Sequence, residues 1–221
     1  MCGRYTFFSP SESVTRLFDT PVPVSIEARY NIAPTQFVPA IRLDPQGQRQ
    51  LVMLHWGLVP SWAREKAIGN RMINARAETL AEKPSFKKAF SQRRCLVLTS
   101  GFYEWRKEGG AKRPYFISRK DSEPIAMAGL WEGWRQETES LESCTIITTE
   151  ANDFMQALHH RMPAMLAPED CGRWLDSKNV GIVEAADLLR PLQEDSLQVW
   201  PVSTRVNSPH NEGAQLLDPV A

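Results

Sequence analysis

Short apolar runs separated by turn residues are the feature that most constrains the fold of this chain. Runs rich in β-branched and aromatic residues fill the middle of the sequence, and 16 prolines are spread through the chain. Such runs are typical of short strands joined by turns. No regular strand–helix–strand alternation is present, which excludes a doubly wound parallel sheet. We therefore predict an α+β fold with a mainly antiparallel, barrel-like β core and peripheral helices.

The spacing of apolar residues places the individual elements. Strands are predicted at 38–43, 50–56, 95–99, 102–105, 115–118, 125–131, 145–149, 163–166 and 198–202. Helices are predicted at 11–18, 75–82, 85–92, 151–159, 168–176 and 183–189. The 221 residues contain no repeat or flexible linker and suffice for one well-packed core, so we expect a single domain over residues 1–221.

Composition and cysteine spacing limit the class of protein. No apolar run approaches the ~18–20 residues that span a bilayer, and the first twenty residues carry charge too early for a secretory signal. The four cysteines lie far apart without a CxxC pair, which favours neither a zinc cluster nor a disulfide framework. We predict a cytoplasmic protein with no metal and no cofactor. The cysteines are Cys2, Cys95, Cys144 and Cys171.

Charge is distributed unevenly although the net charge is zero. Residues 1–110 contain 16 basic and 9 acidic side chains, a balance of +7. Residues 111–221 contain 10 basic and 17 acidic side chains, a balance of −7. Such asymmetry can give a basic face that attracts a polyanion, and chance clustering on a solvated surface would give the same counts.

Cys2 follows the initiator and is small enough for methionine removal. The processed chain would then carry a thiol and a free α-amine on neighbouring carbons. With ordinary pKa values of ~8.5 and ~7.7–8.0, both groups have a usable nucleophilic fraction at neutral pH. Together they can close an aldehyde into a thiazolidine, or the thiol alone can attack an amide. A small buried residue without chemistry is the remaining interpretation.

Two further polar residues stand in motifs that suit chemistry. Asn74 and Arg76 of NARAET lie two apart, so on a strand they would share a face and could hold a sugar oxygen and a phosphate. A helix N-cap is the alternative role of Asn74. Glu104 of GFYEW lies among aromatic residues, where a raised pKa would suit proton transfer, although strand alternation could equally turn it outward.

Three other segments supply groups for binding and proton transfer. One histidine of HHRMP can act as a general acid or base, or as a charge partner for a helix C-terminus. The two adjacent histidines are expected to point in different directions, which disfavours joint metal binding. Arg4 of MCGR can hold a phosphate. In WGLVPSW we expect Trp56 in the core and Trp62 as an exposed stacking surface.

Taken together, these motifs resemble the SRAP family, named for SOS response-associated peptidases and also known as abasic-site shield proteins. The resemblance is ordered along the chain and extends to about residue 207. It rests on MCGRY (1–5), RYNIAPT (29–35), WGLVPSW (56–62), NARAET (74–79), GFYEW (101–105), PYFI (114–117), TIIT (145–148) and HHRMP (159–163).

The resemblance implies recognition of abasic sites in single-stranded DNA and a covalent thiazolidine crosslink through the N-terminal cysteine, which shields the lesion and is reversible. This lyase-like Schiff-base chemistry would be accompanied by cysteine-type peptidase activity. By position, the catalytic residues would be Cys2, Asn74, Glu104 and His159. The DNA-binding residues would be Arg4, Pro34, Trp62, Arg76, Thr148 and Arg161. Some relatives have a second tryptophan at the position of Ala63, and some have a basic residue at the position of Pro84. These two differences concern how firmly the bases that flank the lesion are held.

Two other functions remain compatible with the residues. A thiol autopeptidase or N-terminal-nucleophile amidohydrolase would use the Cys2 thiol against amides and would give no DNA adduct. A non-catalytic single-strand binder would leave Cys2 without a role. A monomer is the default expectation for the oligomeric state.

Overall fold

The computed structural model describes residues 2–22, 26–192 and 196–220, and within these ranges lie thirteen strands and five α-helices. The strands are β1 (Tyr5–Phe7), β2 (Arg29–Ile32), β3 (Phe37–Leu43), β4 (Arg49–Trp56), β5 (Asn74–Arg76), β6 (Arg94–Thr99), β7 (Gly101–Glu108), β8 (Ala111–Arg119), β9 (Ile125–Gln136), β10 (Glu139–Glu150), β11 (Arg161–Pro163), β12 (Met165–Leu166) and β13 (Leu197–Pro201). The helices are α1 (Ser11–Phe18), α2 (Pro84–Gln92), α3 (Asp153–Gln156), α4 (Pro168–Leu175) and α5 (Ile182–Ala186).

Five strands close into a barrel. Going round it, β4 pairs with β3, β3 with β6, β6 with β9 and β9 with β10, all antiparallel. The ring closes where β10 pairs with β4 in parallel. The short strands β5, β11 and β12 extend this sheet at its margins. The predicted α+β fold with a mainly antiparallel, barrel-like core is thus confirmed, with parallel pairing confined to β4 and β5 against β10.

A second sheet of five strands packs with the barrel. Its order is β13-β8-β7-β1-β2, so β1 lies between β7 and β2, and every pair is antiparallel. A single hydrophobic cluster contains Phe102 and Ile117 from this sheet together with Leu96 and Met127 from the barrel. Because both sheets bury their apolar faces in one core, the chain forms a single domain.

Two buried tryptophans join the periphery to the barrel. Trp56, at the end of β4, donates its indole N–H to the Ile73 carbonyl at 2.9 Å and packs against the ring of Tyr5 at 5.0 Å between centroids. Trp174 of α4 donates to the Cys95 carbonyl of β6 at 2.9 Å. Both large side chains are fully buried with their polar atom paired, as a close-packed interior requires.

The helix predicted over 75–82 is wrong. Asn74–Arg76 forms β5, which pairs in parallel with β10, and Ala77–Thr79 forms a short 3₁₀ helix. Ala75 is buried against the sheet, so ladder hydrogen bonds and burial outweigh a weak helical spacing. Asn74 is therefore not a helix N-cap, and it shares a strand face with Arg76.

Two predicted helices are shorter than expected. The helix predicted over 151–159 contracts to α3, where Asn152 caps the start by accepting from the Met155 amide at 2.9 Å. The helix predicted over 183–189 ends at Ala186. The strands expected near 38–43, 50–56, 95–99 and 125–131 are confirmed, each with bounds that differ by a few residues.

Gly101 begins β7 at a point where two strands approach closely. A Cβ on Gly101 would lie 2.7 Å from the backbone oxygen of Ile117 and would also clash with the ring of Phe116. We expect Gly101→Ala to lower the free energy of unfolding by about 2 kcal/mol, because neither backbone nor a packed ring can move freely. Urea denaturation measures the change. Gly133→Ala, at an exposed site with no atom within 4 Å of the added Cβ, is the control and should change stability little. Equal midpoints for both variants would contradict the steric argument.

Candidate active site

Four elements bring the predicted catalytic residues together. Cys2 precedes β1, Asn74 begins β5, Glu104 lies in β7, and His159 follows α3. The β1–β7 pairing aligns two of them, because the amide of Tyr103 donates to the carbonyl of Arg4 at 3.0 Å. Cys2 lies two residues before Arg4, and Glu104 follows Tyr103 directly. The pairing therefore holds them close enough for the negative charge of Glu104 to raise the pKa of the Cys2 thiol.

Cys2 is fully buried and fixed by its backbone. Its carbonyl oxygen accepts a hydrogen bond from Nδ2 of Asn74 at 2.9 Å. Burial, and after it the negative charge of Glu104, raises the pKa of the Cys2 thiol to about 12. The thiol is therefore protonated at neutral pH, in contrast to the usable thiolate fraction expected from the sequence.

Asn74 has its side-chain orientation fixed by the Cys2 carbonyl. A carbonyl only accepts, so Nδ2 must face it and Oδ1 must face the other way. This Oδ1 atom is buried and has no hydrogen-bond partner among the described residues. A buried acceptor without a donor costs about 1–3 kcal/mol, and a ligand hydroxyl or amine would remove that cost.

Glu104 faces the interior. Strand alternation left its direction open, and the structure buries it in β7 with an exposed fraction of 4%. The charge of its carboxylate raises the pKa of the Cys2 thiol and also raises the pKa of His159. One carboxylate thus influences two other groups of the site electrostatically.

His159 stacks on His160, and the expectation that the two rings point in different directions is wrong. Their centroids lie 4.3 Å apart with the planes inclined by 26°. Nδ1 of His159 lies 3.0 Å from the Arg161 backbone nitrogen, which donates to it in one tautomer, and 3.2 Å from the Arg161 carbonyl oxygen, to which it donates in the other. Burial lowers the pKa of His159, while the charge of Glu104 raises it.

Two cavities meet at this site. The larger, about 890 Å³, is lined by Glu104 and His159, and the smaller, about 410 Å³, by Arg76. Gln156 and His160 line both, so the cavities adjoin. The larger cavity is also lined by residues that the sequence analysis did not single out, among them Trp105, Arg106, Lys107, Lys112 and Asn207.

The three arginines predicted to hold phosphates have different surroundings. Arg76 is exposed at the end of β5. The Arg161 side chain pairs with both carboxylate oxygens of Glu78, at 2.8 and 2.9 Å, and donates to the carbonyl of Thr148. The guanidinium of Arg4 donates at 2.6 Å to the Val206 carbonyl. Arg76 is thus the arginine most open to a ligand, and the phosphate roles of all three stay predictions.

The three other residues predicted to contact DNA also differ in exposure. Trp62 is 60% exposed, while Trp56 is buried in the core, as expected for WGLVPSW. Pro34 is half-buried beside Thr35, which has a positive φ of 73°. Thr148 is fully buried in β10. Of the three, only Trp62 offers a broad surface for stacking, and their DNA contacts stay predictions.

The described residues contain neither a cluster of metal-binding side chains nor a membrane-spanning helix. Across 2–22, 26–192 and 196–220, no group of three or more His, Cys, Asp or Glu side chains is arranged to hold a metal ion. Among the helices described, none has the length and apolar character needed to cross a membrane.

The pKa of His159 tests the electrostatics of the site. We expect it to lie below its ordinary value of 6.5 and to fall further in Glu104→Gln, because a nearby negative charge is lost while burial remains. Ring-proton NMR across a pH titration measures it, with the resonance assigned from His159→Gln. Glu137→Gln, at the exposed turn before β10, should leave the value unchanged. A wild-type pKa above 6.5 would refute this description.

Comparison with known proteins places these residues in a family. The family described as SOS response associated peptidase (SRAP) matches residues 1–209. Abasic site processing protein YoaM of Bacillus subtilis (strain 168) is 41% identical over 223 residues, covering 99% of this chain and 98% of that protein. Abasic site processing protein YedK of Escherichia coli (strain K12) is 30% identical, with both proteins covered completely.

A solved structure agrees with the fold. The crystal structure of a protein from Bacteroides thetaiotaomicron superposes with a TM-score of 0.89 at 27% identity, covering 100% of both chains. The sequence match spans nearly the whole chain, and the structural match includes every element that carries a site residue. This chain belongs to the SOS response associated peptidase (SRAP) family.

Proposed function

We propose that this chain processes abasic sites in single-stranded DNA by forming a covalent crosslink through Cys2 after removal of Met1. The observation that carries the proposal is the hydrogen bond from Asn74 to the Cys2 carbonyl beside a buried carboxylate and a histidine. The names of the relatives YoaM and YedK support the lesion as substrate.

The first step is attack by the amine. An abasic deoxyribose opens to an aldehyde, and His159 assists that opening by transferring a proton. The α-amine of Cys2 adds to the aldehyde carbon, and water leaves to give a Schiff base. Glu104 holds the amine and takes up the proton it releases. His159 suits this role because its ring lies within the electrostatic influence of Glu104 and histidine is the side chain whose ordinary pKa is nearest to neutral pH.

The second step closes the ring. The Cys2 thiol adds across the carbon–nitrogen double bond, forming a carbon–sulfur bond while its proton passes to the nitrogen. No electrons are gained or lost overall. Because the thiol is protonated until the Schiff base has formed, its raised pKa favours attack by the amine first. The ring outlasts a Schiff base, protects the strand from β-elimination, and reopens when the site protonates it again.

The raised thiol pKa disfavours the peptidase alternative. Attack on an amide requires a thiolate, and burial together with the Glu104 carboxylate opposes its formation. The backbone of Arg4 lowers the pKa of the thiol, but this effect is smaller than those of burial and of Glu104. Hydrolysis of amides is therefore the weaker assignment.

The DNA is held along the adjoining cavities. Arg76 binds a phosphate beside the lesion, and Trp62 stacks on a base. Arg4, Pro34, Thr148 and Arg161 are further predicted contacts. A flexible single strand can follow such a groove, whereas a duplex would have to be unstacked at a cost of a few kcal/mol. We expect a monomer that acts in the cytoplasm, at the nucleoid when bound to DNA.

Cys2→Ser tests the thiazolidine. The variant keeps the α-amine but replaces sulfur with a poorer nucleophile, so we expect the heat-stable adduct to be lost and at most a labile Schiff base to remain. The measurement uses protein with its N-terminus confirmed by mass, single-stranded DNA with one abasic site, and a denaturing gel. Intact DNA of the same sequence should give no band.

Cys171→Ser is the matched control for this substitution. Cys171 lies in α4 and donates to the Ala167 carbonyl one helical turn earlier, a bond that serine can also make. It should crosslink like the wild type. A persistent heat-resistant adduct in Cys2→Ser would defeat the thiazolidine, and no adduct from correctly processed wild-type protein would defeat the proposed function.

Asn74→Asp tests the positioning of Cys2. The substitution places a carboxylate oxygen against the Cys2 carbonyl, so the hydrogen bond at 2.9 Å becomes a repulsion. We expect the crosslinking rate at saturating DNA to fall on the order of 100-fold. Single-turnover kinetics measure it. Arg76→Ala on the same strand should instead weaken binding and recover its rate at high DNA concentration. Recovery of Asn74→Asp at high DNA would contradict a role in the chemical step.

A further inference from the structure

The hairpin of β7 and β8 sets two lysines opposite each other. Gly109 and Gly110 form its two-residue turn, both with positive φ, at 56° and 87°. Such a turn fixes the register of the strands, and Lys107 of β7 pairs with Lys112 of β8. Like charges directly opposite on one sheet face destabilise a hairpin. The arrangement therefore has a local cost that folding alone does not explain.

Within the part of the chain that the structure describes, the positive charges of these lysines have no nearby carboxylate partner. Among the described residues, neither Lys107 nor Lys112 forms an ion pair within 4.0 Å. Glu108, the acid next to Lys107, is occupied elsewhere, because it pairs with Arg106 and accepts from the Tyr115 hydroxyl at 2.7 Å. Both lysines are exposed and available to an anion.

Their location ties the lysines to the candidate active site. Both line the larger cavity together with Glu104 and His159. Arg76 lines the smaller cavity and not the larger one. The two cavities meet at Gln156 and His160, so the lysines and Arg76 belong to different arms of one continuous groove.

We propose that Lys107 and Lys112 form a second phosphate subsite, which holds the backbone of single-stranded DNA on the side of the lesion away from Arg76. This inference rests on the proposed function. A strand threaded through both cavities has its lesion at Glu104 and His159 and its flanking phosphates at Arg76 in one arm and at the lysine pair in the other. Phosphates satisfy the two ammonium groups and relieve their repulsion.

The test removes both charges and truncates the DNA. Three oligonucleotides carry one abasic residue with nucleotides on both sides, only on the 5′ side, or only on the 3′ side. For Lys107→Gln/Lys112→Gln we expect about tenfold weaker binding to the two-sided oligonucleotide and to one of the truncated pair, and unchanged binding to the other. The slope of log affinity against log salt should shrink by about 1.4, for two phosphate contacts at ~0.7 each.

Lys120→Gln/Lys178→Gln is the matched control. It removes the same net charge from exposed lysines that line neither cavity, and it should bind all three oligonucleotides like the wild type. Equal losses in the two double variants, or equal losses on both truncated oligonucleotides, would overturn the subsite. Fluorescence anisotropy gives the affinities on oligonucleotides whose abasic residue is a tetrahydrofuran, which has no aldehyde and so cannot form the crosslink.

Crosslinking by the wild type is scored separately on denaturing gels. Its absence on every oligonucleotide defeats the proposed function, while the affinities still decide the subsite. Normal crosslinking with unchanged affinities in Lys107→Gln/Lys112→Gln defeats the subsite alone.

Discussion

The hydrogen bond from the Tyr103 amide to the Arg4 carbonyl holds the start of the chain inside the protein. Chain termini fray unless they are tied down, and here β1 is enclosed between β7 and β2. The Arg4 side chain adds a second tie, since it donates to Asn31 and to the carbonyl of Val206. The burial of Cys2, its contact with Asn74 and its proximity to Glu104 all depend on this anchoring.

Burial in turn determines which protonation states the site can hold. A low-dielectric interior opposes charge, so the Cys2 thiol stays protonated and His159 stays neutral, whereas Glu104 supplies the negative charge that acts on both. Burial and the charge of Glu104 shift the pKa of His159 in opposite directions, whereas both raise the pKa of the Cys2 thiol. The site therefore combines a neutral nucleophile with a neutral histidine, which suits a condensation that begins at an amine.

Local patterns predicted much of the fold and part of the site. The alternation of apolar residues was sufficient to predict the positions of the barrel strands. It could not predict whether Glu104 faces the core or the solvent, because aromatic residues flank it on both sides. The helical spacing after Asn74 was misleading, since pairing with β10 is a long-range effect that no local pattern contains. Lys107 and Lys112 were missed although Gly109 and Gly110 between them signal a two-residue hairpin, in which residues equidistant from the turn face each other.

The four groups of the site lie far apart along the chain, from residue 2 to residue 159, a separation of 157 positions. Contacts of such high sequence separation have a large entropic cost, because a long loop must close before they can form. Asn74 meets Cys2 across 72 residues, and the Arg161–Glu78 pair beside them spans 83. The arrangement of these four site residues therefore requires that nearly the whole polypeptide has folded. For the crosslinking proposed above, a partly folded molecule would carry the Cys2 side chain without the surroundings that select one aldehyde, so selectivity would require the complete fold.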